Sequence, residues 1–199
     1  MLTFRDKQII KHIEQYGFIT NRQAREIFMS PNSVKAYEVA RRRIKEIQDT
    51  NIRFGPKNKP LLVTKNNITS ENVFYYDKVP TYHEIQIMNV YARLVFVGVD
   101  VELYKKHAEW LGGKYISDAF FICSHANIKY ICCLEVCSTS NDSHIPGYQE
   151  LYNTNELQMK FNGAFPRIIL VGHQGRLPKT HLTVKEVDED LSDIFFIFQ

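Results

Sequence analysis

The chain has 199 residues, of which 44% are hydrophobic, with 13 Phe, 11 Tyr and 1 Trp; this is enough apolar material for a packed core and unlike a disordered composition. Its net charge is +3, and no apolar run approaches the roughly 18 residues that cross a bilayer. Met1-Leu2-Thr3-Phe4-Arg5-Asp6 has no signal-peptide character, so a cytoplasmic protein with no membrane role is expected.

Thr3, with Asp6 three residues on, reads as the cap of a first helix. Ile9, Ile10, Ile13 and Tyr16 mark its apolar face, and Gly17 is placed to end it. Phe18-Ile19 leads to Thr20, a second cap, and Asn21–Met29 predicts a short helix that buries Ala24, Ile27 and Phe28. Ser30-Pro31-Asn32-Ser33 predicts a turn. A third helix, Val34 to about Gln48, carries an apolar stripe at Val34, Tyr37, Ala40, Ile44 and Ile47. Lys35, Glu38, Arg42 and Lys45 line another face of it, flanked by Arg41 and Arg43.

Three short helices with a tight turn before the third describe a helix-turn-helix. Asn51–Phe54 and Leu61–Thr64 predict short strands around Gly55-Pro56-Lys57-Asn58-Lys59-Pro60, a basic turn, and Phe74–Tyr76 a further one, giving a winged version. Charge distribution agrees. Residues 1–66 hold 14 Lys or Arg against 6 Asp or Glu, whereas residues 67–199 hold 11 against 16. A basic head on an acidic body is expected when one part touches nucleic acid. The expected DNA-binding residues are Lys35, Arg41, Arg42, Arg43 and Lys45 on the third helix and Lys57 and Lys59 in the basic turn. A domain of residues 1–76 is predicted, followed by a linker at Asp77–Thr81 and a second domain of residues 82–199.

The second domain opens with an amphipathic helix, His83–Val97, burying Ile87, Val90, Tyr91, Leu94 and Val95. Val99–Lys105 predicts a strand, and Gly112-Gly113 a turn. Tyr115–Cys123 and Ile128–Ser138 predict a hairpin joined by Ser124-His125-Ala126-Asn127. Ser138–His144 reads as a polar loop, Tyr148–Phe161 as a helix with Pro146 ahead of it, and Arg167–Gly172 as a buried strand. Gly175–Thr180 predicts a loop and Asp188–Asp193 an acidic turn. The apolar end Ile194–Phe198 must pack in the core or pair with a second copy of the chain. The class is α/β, in the order αβββαβ.

Within the hairpin, each strand carries one carboxylate in apolar surroundings, Asp118 and Glu135. Adjacent strands would set the two side by side, where a divalent cation is held; otherwise both lie on a solvated face or at a strand end, paired with Lys or Arg. Cys123, Cys132, Cys133 and Cys137 also fall here and read as buried thiols, because no CxxC pair exists and Cys132 and Cys133 point to opposite faces.

That αβββαβ order, with Asp in its second strand and Glu in its third, resembles the PD-(D/E)XK nuclease-like core. Joined to a winged helix, it resembles the replication-relaxation family of plasmids, phages and other mobile elements. The residues that carry the resemblance are Leu2-Thr3-x-Arg5-Asp6, His83 and Glu109-Trp110. Ser117-Asp118-Ala119 corresponds to the family's Pro-Asp-Ala and Leu134-Glu135-Val136-Cys137 to its Leu-Glu-Val-Asp, with Tyr152 for the tyrosine of the following helix.

The resemblance implies that Asp118 and Glu135 occupy positions that bind Mg²⁺ or Mn²⁺ in active nucleases of this class, where a Lys two residues after the Glu orients the attacking water. Here that position is Cys137, which supplies no cation and is a poor ligand for a hard metal. Asp118, Glu135 and Cys137 are therefore expected to be vestigial. The resulting expectation is a protein of a mobile genetic element that binds double-stranded DNA and controls transcription, replication or mobilisation, with a homodimer possible. The alternatives are a metal-dependent DNA nuclease using Asp118 and Glu135, or a phage or plasmid factor acting on a host protein.

Overall fold

The computed structural model describes residues 2–29, 33–137 and 144–199. It is a mixed α/β structure of six α-helices with a three-stranded, a five-stranded and a two-stranded sheet. Two compact units divide the chain, Met1–Phe96 and Val97–Gln199. No described helix is long and apolar enough to cross a membrane. The turn expected at Ser30–Ser33 and the loop expected at Ser138–His144 fall largely outside the described residues.

The first unit begins with α1 (Phe4–Tyr16). Thr3 accepts from the Asp6 amide while the Asp6 carboxylate accepts from the Thr3 amide, so two of the helix's orphan donors are satisfied at once. Gly17 ends the helix at φ 89°, a conformation that favours glycine. Strand β1 (Phe18–Thr20) leads into α2 (Asn21–Phe28), where Thr20 and Gln23 form a second reciprocal cap. Helix α3 (Ala36–Asp49) follows. Its buried side is Ala36, Ala40, Ile44 and Ile47, packed with Ile9, Ile13, Ile19, Ala24, Phe54 and Phe74. Val34 and Tyr37, expected in that stripe, are exposed. The helix starts later than expected, and Ala36 takes the inward position one turn before Ala40.

The strand pairing also differs from expectation. β2 (Arg53–Phe54) pairs with β3 (Lys59–Pro60) in a ribbon around the turn at residues 55–58. Leu61–Thr64 was expected to pair with Asn51–Phe54; instead β4 (Leu62–Lys65) forms a hairpin with β5 (Asn72–Tyr75), and β1 adds to the other side of β5. Aromatic Phe74 and β-branched Val73 anchor that central strand in the core.

Helix α4 (Tyr82–Phe96), expected to open the second domain, belongs to the first unit, so the division falls at residue 96 rather than in 77–81. Hydrogen bonds explain this. Gln23 donates its amide to the Ile85 carbonyl at 3.2 Å and to Asn89 Oδ1 at 2.9 Å, and all three residues are buried. A buried amide must find such partners, and these lie more than sixty residues away along the chain.

The second unit is built on a five-stranded mixed sheet of order β10-β9-β8-β7-β6. β6 (Asp100–Trp110), β7 (Tyr115–His125) and β8 (Ile128–Val136) form an antiparallel meander. The turn between β7 and β8 is only Ala126-Asn127, at φ 50° and 63°, because pairing continues to His125 opposite Ile128. β9 (Arg167–Val171) lies parallel to β8, and β10 (Val184–Val187) parallel to β9. The helix expected over Tyr148–Phe161 is two helices, α5 (Ile145–Asn153) and α6 (Glu156–Lys160), broken where Asn155 adopts φ 59°. Leu151 and Leu157 bury against Phe120, Cys133, Ile168 and Leu170 on one sheet face. The chain end Ile194–Phe198 is a 3₁₀ segment; Ile194 and Ile197 are buried, and Phe195 and Phe196 are exposed.

Candidate functional site

Two groups of side chains carry chemistry, one in each unit. In the first unit, the side of α3 turned away from the core opens on a groove of about 820 Å³. Lys35 lines it from just ahead of α3, Glu38, Arg41, Arg42 and Lys45 from α3, and Val63, Asn72 and Phe74 from the β4–β5 hairpin. Helical periodicity produces this arrangement, since a buried stripe at 36, 40, 44 and 47 leaves 38, 42 and 45 on the opposite side. Arg42 sits 3.8 Å from Glu46 and Lys45 3.7 Å from Asp49, both exposed i,i+4 pairs of a kind worth a few tenths of a kcal/mol. These cations are therefore available to an anionic partner at small cost.

Arg43 is placed differently. Its guanidinium bonds the fully buried Asp6 through two nitrogens and also reaches Glu46. Burial alone would raise the Asp6 pKa, but the Arg43 and Thr3 hydrogen bonds outweigh it and hold the carboxyl below its ordinary value. Arg43 thus ties α3 to the start of α1. Lys59 lies in strand β3 and pairs with Asp77, while Lys57 is exposed in the turn. The expected set of seven cations separates accordingly: Lys35, Arg41, Arg42 and Lys45 share one groove, Arg43 is bound to buried Asp6, Lys59 pairs with Asp77, and Lys57 is exposed in the turn.

In the second unit, the register places Asp118 and Glu135 one step beyond the Ala119–Leu134 pair, at the same end of the sheet. Asp118 Oδ2 accepts from the Val136 amide at 2.7 Å. Glu135 is 3% exposed, and the Tyr148 hydroxyl from α5 donates to its Oε1. Behind Tyr148 the chain of bonds continues inward. Ser117 Oγ lies 2.8 Å from the Tyr148 oxygen, and Trp110 Nε1 donates to Ser117 at 2.7 Å. Ser117 thus links the Trp110 indole to Tyr148, and Tyr148 reaches the carboxyl. Burial, reinforced by the negative charge of Asp118, pushes Glu135 up to about 8 against the help of Tyr148. At neutral pH this carboxyl holds a proton.

A cavity of about 420 Å³ opens beside this network, bounded by Trp110, Tyr115, Glu135 and Tyr148 with Lys114 and His144 among its lining. Glu135 Oε2 is 3.9 Å from His144 Nε2. Tyr148 engages one Glu135 oxygen and the Val136 amide one Asp118 oxygen, which leaves one oxygen of each carboxyl outside these two bonds. Among the described residues no group of three His, Cys, Asp or Glu side chains is arranged to hold a metal ion. Cys137 is half-buried against the apolar cluster of the sheet and α5. The other three thiols are buried, as expected.

Tyr148, Ser117 and Trp110 were not singled out as partners of the acids. Tyr152, the tyrosine matched by resemblance, instead packs against Phe165 and His181. The two tyrosines are one helical turn apart, and nothing local distinguishes the one that meets Glu135. No family model matches the chain, and neither the curated proteins nor the solved structures include a significant match.

Proposed function

We propose that the chain is a DNA-binding protein whose first unit is a winged helix-turn-helix, with α3 entering the major groove of duplex DNA and the β4–β5 hairpin as its wing. The observation that carries this reading is the groove lined by Lys35, Arg41, Arg42 and Lys45. Four cations on one exposed helix face, held there by no strong internal pair, suit a phosphate-bearing ligand. The order α1-β1-α2-α3, followed by the β2–β3 ribbon and the β4–β5 hairpin to which β1 is added, supports the same reading. With the resemblance to the replication-relaxation family, the process served is control of transcription, replication or mobilisation in a mobile genetic element.

The second unit is, on this reading, a degenerate PD-(D/E)XK-like scaffold. Its meander followed by a helical crossover to a parallel strand suits that core, and Cys137 stands where active nucleases of this class place a Lys. Mobility shifts of the full chain with duplex DNA across a salt series test the proposal. Binding is expected to weaken steeply with salt, and Lys35→Ala with Arg42→Ala to lower both affinity and the salt slope. No cleavage is expected in Mg²⁺ or Mn²⁺. Affinity indifferent to both substitutions would refute the DNA reading and favour a protein partner.

A further inference from the structure

One residue in the α3 groove has the wrong charge for a phosphate ligand. Glu38 is exposed, lies on the outward side of the helix and lines the groove with Lys35, Arg41, Arg42 and Lys45. Arg41 and Arg42 follow it by three and four positions, the spacing at which helical ion pairs form. Yet among the described residues Glu38 makes no ion pair or hydrogen bond, and Arg42 turns instead toward Glu46. A carboxylate with no side-chain partner among the described residues, in the middle of a cationic surface, opposes binding to any phosphate backbone. It becomes favourable only where the ligand offers hydrogen-bond donors, and in the major groove those donors are the exocyclic amines of cytosine and adenine.

We propose that Glu38 is a specificity-determining residue that accepts a hydrogen bond from the N4 amine of a cytosine in the major groove. The inference rests on the reading of α3 as the DNA-contacting helix. Position supports it, because Glu38 lies in the first turn of α3, the end that meets base edges when a recognition helix docks. Division of labour follows. Arg42 and Lys45 supply sequence-independent attraction, while Glu38 subtracts from it wherever the base opposite lacks an amine. A second role for Glu38 is as a first-turn acid that favours the helix through its dipole, a role that matters here because α3 has no side-chain cap. That role predicts an effect on stability and none on base preference, so the two are separable.

The experiment is selection from a pool of randomised duplexes with the full-length wild type, Glu38→Gln and Glu38→Asp, with thermal unfolding of each. Wild type should prefer cytosine at one position of the selected site by about 5–10-fold. Glu38→Gln should move that preference to adenine, whose N6 and N7 a glutamine matches, and bind unselected duplex several-fold more tightly. Glu38→Asp, which keeps the first-turn charge on a shorter arm, should lose the preference without gaining affinity for unselected duplex. An unchanged selected sequence in Glu38→Gln overturns the proposal and leaves Glu38 a first-turn acid. Duplex binding by wild type without sequence preference overturns it while sparing the DNA reading. Absence of duplex binding by wild type overturns the DNA reading, and the inference falls with it.

Discussion

Replacing Glu135 by Gln is expected to stabilise the protein near neutral pH. In the unfolded chain this carboxyl titrates near its ordinary 4.5, and in the fold burial moves it to about 8. Below pH 4.5 both states are protonated and folding is not penalised. As pH rises from 4.5 to 8 the unfolded chain releases a proton that the folded one retains, so stability falls; above 8 the loss is complete. The slope approaches about 1.4 kcal/mol per pH unit, and the deficit at pH 7 is on the order of 3 kcal/mol. Glutamine keeps the shape and an oxygen to accept from Tyr148, but it has no proton to lose. Urea unfolding at pH 5, 6, 7 and 8, followed by the fluorescence of Trp110 in the same hydrogen-bonded network and with EDTA present, measures both effects. The variant should gain stability on the order of 3 kcal/mol at pH 7 and lose the downward slope of the wild type. A variant that is less stable than wild type at pH 7, or that retains the slope, would show that Glu135 is ionised in the fold and that its burial is compensated.

Arg43→Ala leaves the buried Asp6 carboxylate without its main partner and should cost on the order of 3–5 kcal/mol in urea unfolding at pH 7. Because the folded Asp6 value is depressed, this stability is present above the unfolded carboxyl value and is lost as pH falls through the folded one, so wild type and variant should converge in acid. Gly147→Ala would set a Cβ 2.8 Å from the Tyr115 ring, whose hydroxyl is bonded to Glu150; overpacking there should cost about 1–3 kcal/mol and outweigh the helix propensity of alanine. Ile197→Ala should destabilise by about 2–5 kcal/mol, whereas Phe196→Ser, on the exposed side of the same segment, should leave the unfolding midpoint within about 0.5 kcal/mol.

Local structure was legible in the sequence wherever it depends on a few neighbouring residues. The Thr3–Asp6 cap, the glycine stop after α1, the second cap at Thr20 and the β7–β8 hairpin all follow from short-range hydrogen bonding and side-chain periodicity. So does the cationic side of α3, because it needs only one helix, whereas the adjacency of Asp118 and Glu135 is one of two readings that the spacing leaves open. Periodicity identifies a buried face but not the neighbour that covers it. The neighbour of helix α4 is not legible in the sequence for this reason: the Gln23 amide that donates to Asn89 and to the Ile85 carbonyl sits more than sixty residues away. Strand β10 was missed, since Lys185 and Glu186 hide an edge strand whose partner is chosen by the sheet. The choice of Tyr148 over Tyr152, the break at Asn155 and the outward turn of Val34 and Tyr37 belong to the same class. Each is settled by which surfaces exclude water together, and the proton held by Glu135 exists only once that packing is complete.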